Sequence, residues 1–524
     1  MLHERASARH DHPWLICDDE VLTYGEARAR SAALAKGLLA LGAGPGTRVG
    51  ILHPNGAPFV VCALAATRIG AIAVPISTFS TSAELATLLR TADVEMLFAT
   101  AKFRERDYVA AVNEAVPELD LGAAPPLYAP SAPALRRVWF DRTSADVAGA
   151  RSTDALDAAS QPVGDDLLAA AEARVSAADR MVVVHTSGST SEPKGVVHEH
   201  GPLIRHLHNL TELRRYTAAD VLFANSPFFW IGGFAYTLLG TLVAGATLVC
   251  SNATDPSATL DLIERVRPTM TNGFAAAVAH LAKDPTFAAR DLSSIRRGNL
   301  WPIMPTAVRA SDPELRHNML GMTEAGSVCL ASADEDDQPE HRRGSFGHPV
   351  TGFEARVVDP ETGNDLAIGE AGELCLRGPF LMEGYLGQER HDTFTADGWY
   401  RTDDVFHRDA EGFFYFRGRR GDMIKTAGAN VSPREVEAAI ADIAGLVSHV
   451  VGIDDAERGQ LVAAALRVPA DTPAPDVDEL QTALRAKLSA YKVPRRWLTL
   501  ADADVPMLSS GKIDTRALKD RFRG

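Results

Sequence analysis

From Val49 to Ile76 the chain runs through a short apolar stretch (VGIL), a turn at Pro54-Asn55-Gly56, an amphipathic pattern near residues 57 to 69 and a second apolar stretch, AIAVPI. The pattern predicts strand, helix, strand: a β-α-β unit. Unbroken apolar runs recur at VEMLFAT, MVVVH, ATLVC and TMTNGF, each beside a helical pattern, which implies parallel strands buried on both faces under helices. Residues 352–416 read differently. Short runs (FEARVV, GELCLRG, GFFYF) separated by Gly and Asp turns predict an antiparallel, barrel-like subregion. After Arg419 new helices (REVEAAIADI, VDELQTALRAKL) and strands (SHVVGI, LVAAALRV) suffice for a small α+β domain. The predicted fold class is α/β: a large N-terminal domain of helix-covered parallel sheets with the barrel-like β subregion over 1–420, then the small C-terminal domain over 421–524. Residues 121–178, rich in Ala, Asp and Ser with Pro at 125, 126, 130 and 133, predict a surface excursion from the first domain.

One uncharged stretch, Val221 to Thr254, is long enough for a membrane span on hydropathy alone. Gly232, Gly233, Gly240 and Gly245 interrupt it, so a buried helix followed by a buried strand is expected and no membrane span. With 53 Lys and Arg against 68 Asp and Glu, the net charge of −15 argues against a nucleic-acid partner and for a small molecule. Five cysteines, at 17, 62, 250, 329 and 375, lack any Cys-x-x-Cys pair, which suggests neither a disulfide frame nor a zinc site and fits a reducing cytoplasm. The N-terminal MLHERASARHDHPW has no apolar segment of the kind a secretory signal needs.

Directly behind MVVVH stands TSGSTSEPKG, residues 186–195. Small residues let backbone N–H groups and the hydroxyls of Thr186, Ser187, Ser189 and Thr190 crowd around anionic oxygens beside Gly188, and Lys194 adds a point charge. This predicts a phosphate loop. It is not a Walker loop, because Lys194 follows Pro193 and precedes Gly195 rather than closing a Gly-Lys-Ser/Thr triplet.

Four further motifs follow in order: LGMTEAG at 320–326, GWYRTDDVFHRDAEGFFYFRGRRGD at 398–422, KTAGANVSPREVE at 425–437 and PMLSSGKIDTRAL at 506–518. Together with the loop they resemble the adenylate-forming superfamily of acyl-CoA synthetases, nonribosomal-peptide adenylation domains and luciferases, over nearly the whole chain and most closely the acyl- and aryl-CoA synthetases. The resemblance implies that Leu320, Gly321 and Met322 lie along the nucleotide, that Thr323 touches the α-phosphate and that Glu324 helps hold Mg²⁺. Asp404 would accept both ribose hydroxyls, as a carboxylate suits a diol, and Arg419 would donate to ribose or phosphate. Gly421 falls at the hinge of a mobile C-terminal domain, Gly428 would line the path of the pantetheine, and Lys512, beside Gly511, would bridge the substrate carboxylate and the α-phosphate. ATP, Mg²⁺ and coenzyme A are thus the expected nucleotide, metal and acceptor. An acyl carrier protein or an amine is the alternative acceptor, and a catalytically lapsed binding homologue a third reading. A monomer and a homodimer are both compatible.

In amino-acid-activating members an Asp after the phosphate loop pairs with the α-ammonium; here SPFFWIGGFAYTL carries none, which disfavours an amino-acid substrate. Phe229, Trp230, Gly233, Phe234 and Tyr236 form an apolar, aromatic wall suited to a hydrophobic or aromatic carboxylic acid. Trp230 stands where many relatives have His. Other departures concern the nucleotide. Leu320 replaces the aromatic that stacks on adenine, NLWPIMP at 299–305 replaces Gly-Gly-Ala-Pro and offers Trp301 as a ring, Asp403 replaces Gly, and Ser191 replaces Gly in the loop.

Overall fold

The computed structural model describes residues 1–141, 156, 162–186, 193–419, 424–469, 474–501, 504–506 and 513–523. The chain divides into two compact units, one made of Met1–Thr78, Leu89–His185 and Gly195–Gly418, the other of Phe79–Leu88, Thr186–Lys194 and Arg419–Gly524.

Two sheets built mainly from parallel strands organise the larger unit. The first has seven strands in the order Gly384–Tyr385, Lys194–Glu199, Arg180–Thr186, Ile72–Pro75, Arg48–Leu52, Met96–Ala99, Arg137–Phe140. Arg48–Leu52 pairs in parallel with both Ile72–Pro75 and Met96–Ala99, so the β-α-β unit forms as its pattern predicts. The connecting helix, Ala57–Thr67, departs from the amphipathic expectation: nine of its eleven residues are buried. A helix apolar on all sides belongs inside a large domain rather than on its surface. The second sheet runs Arg297–Gly298, Met270–Asn272, Val221–Ala224, Thr247–Cys250, Pro13–Cys17, Glu20–Thr23, with only the last pair antiparallel.

The uncharged stretch is a π-helical segment, Gly232–Leu239, continuing into the α-helix Gly240–Ala244 and then the buried strand Thr247–Cys250. Among the described residues no helix is long and apolar enough to cross a membrane. The segment 121–178 corrects its prediction in part. Arg137–Phe140 is an edge strand parallel to Met96–Ala99, with Trp139 stacked on Phe98 at 4.9 Å, and Asp165–Arg174 is a helix. Three apolar residues between Arg136-Arg137 and Asp141 give too short a run to be read as a strand, yet Val138, Trp139 and Phe140 are buried and pair with Met96–Ala99. Where an antiparallel, barrel-like subregion is expected between 352 and 416, Glu354–Val358, Gly372–Arg377, Tyr400–Arg408 and Phe414–Arg419 form a four-stranded sheet, with the first two pairings antiparallel.

In the smaller unit, the strands Ala429–Val431, Ile424–Thr426, Gly459–Val468 and Val447–Asp455 adjoin in that order, and Arg496–Ala501 adds to Gly459–Val468 in parallel. Val462, Ala464, Leu466 and Val468 pack with Val436, Ile440, Leu480 and Leu484 of the helices Pro433–Ala444 and Val477–Lys487. Ala463 and Ala465, on the opposite face, pack with Leu500 and Leu518. Both faces are covered, which is why LVAAALRV shows no polar alternation.

Candidate functional site

The strand Leu320–Met322 pairs antiparallel with Ser327–Ala331, and Thr323–Ala325 turns between them. Gly326 closes that turn at φ +68°, a conformation that disfavours any side chain. The Thr323 carbonyl accepts the Gly326 N–H at 2.9 Å and lies 2.7 Å from Nε2 of His198. A carbonyl only accepts, so His198 holds its proton on Nε2. Burial pushes the imidazole pKa down to about 4, and it is therefore neutral near pH 7.

Glu324 is fixed through side chain and backbone alike. Its Oε1 accepts from the Tyr385 hydroxyl at 2.9 Å, and its carbonyl accepts from the Met382 N–H at 2.8 Å. Asp404 comes from Tyr400–Arg408, whose register with Gly372–Arg377 shifts between the pairs Glu373↔Val405 and Cys375↔Arg401. At that bulge Asp403 takes φ +58° and is exposed, its N–H donating to Glu373 at 3.1 Å, while Asp404 is buried and its N–H donates to Oγ1 of Thr402 at 3.1 Å. The bulge thus sends the two adjacent carboxylates to opposite sides, one toward water and one inward.

Cys329, on Ser327–Ala331, links these elements. Its thiol donates to the Leu320 carbonyl at 3.4 Å, and its pKa is raised far above the usual thiol range by burial first, then by the charges of Asp404 and Glu324. Glu324 and Asp404, 80 residues apart in sequence, therefore act on one buried atom. Two acidic side chains on rigid strands, beside a turn with fixed backbone carbonyls, suit a cation or a hydroxylated ligand, since carboxylate and carbonyl oxygens only accept.

The aromatic residues divide. Trp230 is half-buried and meets Phe229 and Phe274 edge to face, at 5.6 and 6.2 Å. Phe234 is a core residue, 1% exposed, with its ring edge-on to Phe59 at 6.4 Å. A Cβ on Gly233 would stand 1.9 Å from the Pro227 carbonyl oxygen, so glycine is required there by close approach of two backbones. Tyr236 is buried with its hydroxyl 3.5 Å from that of Tyr216. Trp301 belongs to another cluster, with Phe223, Val278, Leu300 and Ile303, and is not grouped with Phe229 and Phe234. In place of Gly-Gly-Ala-Pro, Asn299 bonds both the N–H and the carbonyl of Gly273, at 3.1 and 3.0 Å.

In the smaller unit, Thr186 ends Arg180–Thr186 and Lys194 begins Lys194–Glu199, both half-buried. Gly428, at φ +83°, follows Ala427, at φ +47°, in the two-residue turn between Ile424–Thr426 and Ala429–Val431. Positive φ at both positions is what a tight hairpin demands. Ser187, Gly188, Ser189, Thr190, Ser191, Gly421, Gly511 and Lys512 lie outside the described residues, as does the side chain of Arg419. Among the described residues no group of three or more His, Cys, Asp or Glu could hold a metal ion. His198, Tyr385 and Tyr400 were not candidates on sequence. His198 stands four positions after Lys194 and Tyr385 closes the run PFLMEGY, but only tertiary pairing gives either a role.

A family model described as AMP-binding enzyme matches residues 2–386. The feruloyl-CoA synthase of Amycolatopsis sp is 31% identical over 509 residues, covering 96% of this chain and 94% of that protein. The putative acyl-CoA synthetase YngI of Bacillus subtilis (strain 168) is 28% identical over 535 residues, 99% of this chain and 96% of that protein. Among solved structures, the o-succinylbenzoate CoA synthetase MenE of Bacillus subtilis shares the fold with a TM-score of 0.77, at 24% identity and covering 99% of this chain and 98% of that one.

Proposed function

The chain belongs to the AMP-binding enzyme family and is an AMP-forming acid–thiol ligase, and on that premise we propose that it activates a hydrophobic or aromatic carboxylic acid with ATP and passes the acyl group to coenzyme A. In the first half-reaction a carboxylate oxygen of the acid attacks the α-phosphorus of ATP. The bond from that phosphorus to the bridging oxygen breaks and pyrophosphate leaves. In the second, the CoA thiolate attacks the acyl carbon, the bond to the phosphate oxygen breaks, and AMP departs with its electron pair.

The residue roles proposed are those the family resemblance implies, and the chemistry of each group is compatible with them. By the family resemblance the loop from Thr186 to Lys194 would serve the β- and γ-phosphates, Asp404 the ribose hydroxyls, Arg419 the ribose or phosphate, and Lys512 the reacting carboxylate and α-phosphate. Glu324 fits a hard cation, because it presents carboxylate oxygens on a fixed backbone. The described residues offer no cluster of three or more His, Cys, Asp or Glu, so Mg²⁺ would arrive with the nucleotide, with Glu324 as a protein ligand, and would neutralise phosphate charge there. Five free cysteines, all buried, support a reducing compartment, the cytoplasm.

The observation that carries this reading is Glu324, held at the 323–325 turn by the Tyr385 hydroxyl and the Met382 N–H, in a chain that its CoA-ligase relatives match almost end to end. Those relatives favour CoA over a carrier protein or an amine as acceptor. Phe229 and Trp230 in the aromatic wall support an apolar acid. Exchange of pyrophosphate into ATP across a panel of apolar and aromatic acids tests adenylation, and mass spectrometry of the same reactions with CoA tests the acceptor. No exchange with any acid would sink the reading; exchange without an acyl-CoA product would move it to the carrier or amine acceptor.

A further inference from the structure

Glu324 has a long side chain whose immobilisation costs rotamer freedom. The structure removes that freedom in advance. The Tyr385 hydroxyl lies 2.9 Å from Glu324 Oε1 and 3.0 Å from the Tyr400 hydroxyl. A carboxylate can only accept, so Tyr385 donates its single proton to Glu324, and its oxygen in turn accepts the proton of Tyr400. The relay therefore has one direction: Tyr400 to Tyr385 to Glu324. Both rings are more than nine-tenths buried.

The backbone around Tyr385 is as constrained as its hydroxyl. Val196 pairs with Tyr385 across the sheet, the Glu383 N–H donates to the Val197 carbonyl at 2.9 Å, and the Leu386 N–H to the Gly195 carbonyl at 2.7 Å. One residue before Glu383, the Met382 N–H reaches the Glu324 carbonyl at 2.8 Å. The short segment 382–386 thus ties the 323–325 turn to Lys194–Glu199, and Tyr385 projects from it onto the carboxylate.

We propose that Tyr385 is a positioning residue for the metal-bearing nucleotide: its hydroxyl holds Oε1 of Glu324 and so fixes the carboxylate that would serve the cation, with Tyr400 fixing the direction of the bond. The proposal rests on the adenylation reading of the site. Hydrogen-bonded partners of metal ligands orient them and raise their affinity, and loss of such a partner costs roughly 10- to 100-fold in metal binding.

The test is calorimetric binding of ATP to the full-length protein, without acid, across a series of Mg²⁺ concentrations, alongside acid-dependent exchange. Tyr385→Phe should raise the half-saturating Mg²⁺ concentration roughly tenfold, with ATP affinity at saturating Mg²⁺ and the melting temperature little changed. Tyr400→Phe, which keeps the Tyr385 donor, should raise it roughly threefold. In a Glu324→Gln background, Tyr385→Phe should add nothing further. A Mg²⁺ dependence in Tyr385→Phe that superposes on the wild type, or the same shift with and without Glu324, would overturn the proposal. Wild-type protein that binds Mg²⁺-dependent ATP yet exchanges with no acid would overturn the adenylation reading while the Tyr385 comparison still decides the positioning role.

Discussion

The surroundings of Glu324 and the aromatic wall at 229–236 are built from different forces. Around Glu324 every element is tied by directional bonds: His198 to the Thr323 carbonyl, Met382 to the Glu324 carbonyl, Tyr385 to the carboxylate. Around Phe229, Trp230 and Phe234 the contacts are ring edges and close backbone approach. Hydrogen bonds fix distance and angle to a few tenths of an ångström, whereas apolar packing fixes volume. A region of the first kind suits a ligand common to every turnover, the nucleotide. A region of the second kind can change its occupant by exchanging one ring for another, and so suits the acid that distinguishes one ligase from the next.

The sharpest way to separate the two is to remove charge from the nucleotide side. Lys512→Ala should lower adenylation roughly 10³-fold, the cost of losing a donor aimed at developing charge, while leaving thioester formation from supplied acyl-AMP near wild-type rates; both half-reactions measured separately decide this, and equal loss would refute the assigned role. Asp404→Ala comes next. Losing two charged hydrogen bonds to the ribose should raise the KM for ATP roughly 10²-fold, with the KM for the acid unchanged within about a factor of three. On the packing side Trp230→Ala should do the reverse, shifting the ratio of kcat/KM between a bulky and a small acid by roughly tenfold and leaving the KM for ATP unaltered. A Trp230 variant that weakens ATP as much as acid would dissolve the distinction.

The two regions also differed in how far sequence revealed them. The β-α-β unit at 48–76 was legible because periodicity and turn residues agree, and so was the antiparallel sheet at 352–416. Thr323, Glu324 and Asp404 were legible as motifs. Their supports were not: Tyr385 meets Glu324 across 61 positions and His198 meets Thr323 across 125, and no local pattern encodes a pairing at that range. The aromatic wall was legible only as apolar sequence. Hydrophobicity marked Phe229, Trp230 and Phe234 alike, yet Phe234 is committed to the core against Phe59, and Trp301 packs in a separate cluster. Composition reports that a side chain is apolar; which neighbours bury it is a property of the sheet order. Arg137–Phe140 was missed for the same reason, since its strand character comes from pairing with Met96–Ala99.

The smallest effect near neutral pH concerns His198, and it tests whether the directional side of the molecule depends on one bond or on charge state. Gln at this position keeps an N–H able to reach the Thr323 carbonyl, so His198→Gln should retain adenylation within roughly threefold at pH 7.5, a neutral hydrogen bond contributing only about 1 kcal/mol. Acid should separate the proteins. The buried imidazole has a pKa of about 4, below the ordinary 6.5, so the unfolded chain takes up a proton at this site that the folded chain refuses. Stability that is present above pH 6.5 is lost as pH falls toward 4, by up to about 3 kcal/mol for a shift of this size. His185 and His206, also held near 4 by burial, add to the decline in both proteins. Melting temperatures from pH 7.5 to 4.5 should therefore fall in both, but less steeply in His198→Gln. Parallel curves would mean that His198 is protonated without penalty, and that the Thr323 carbonyl is held by its geometry alone.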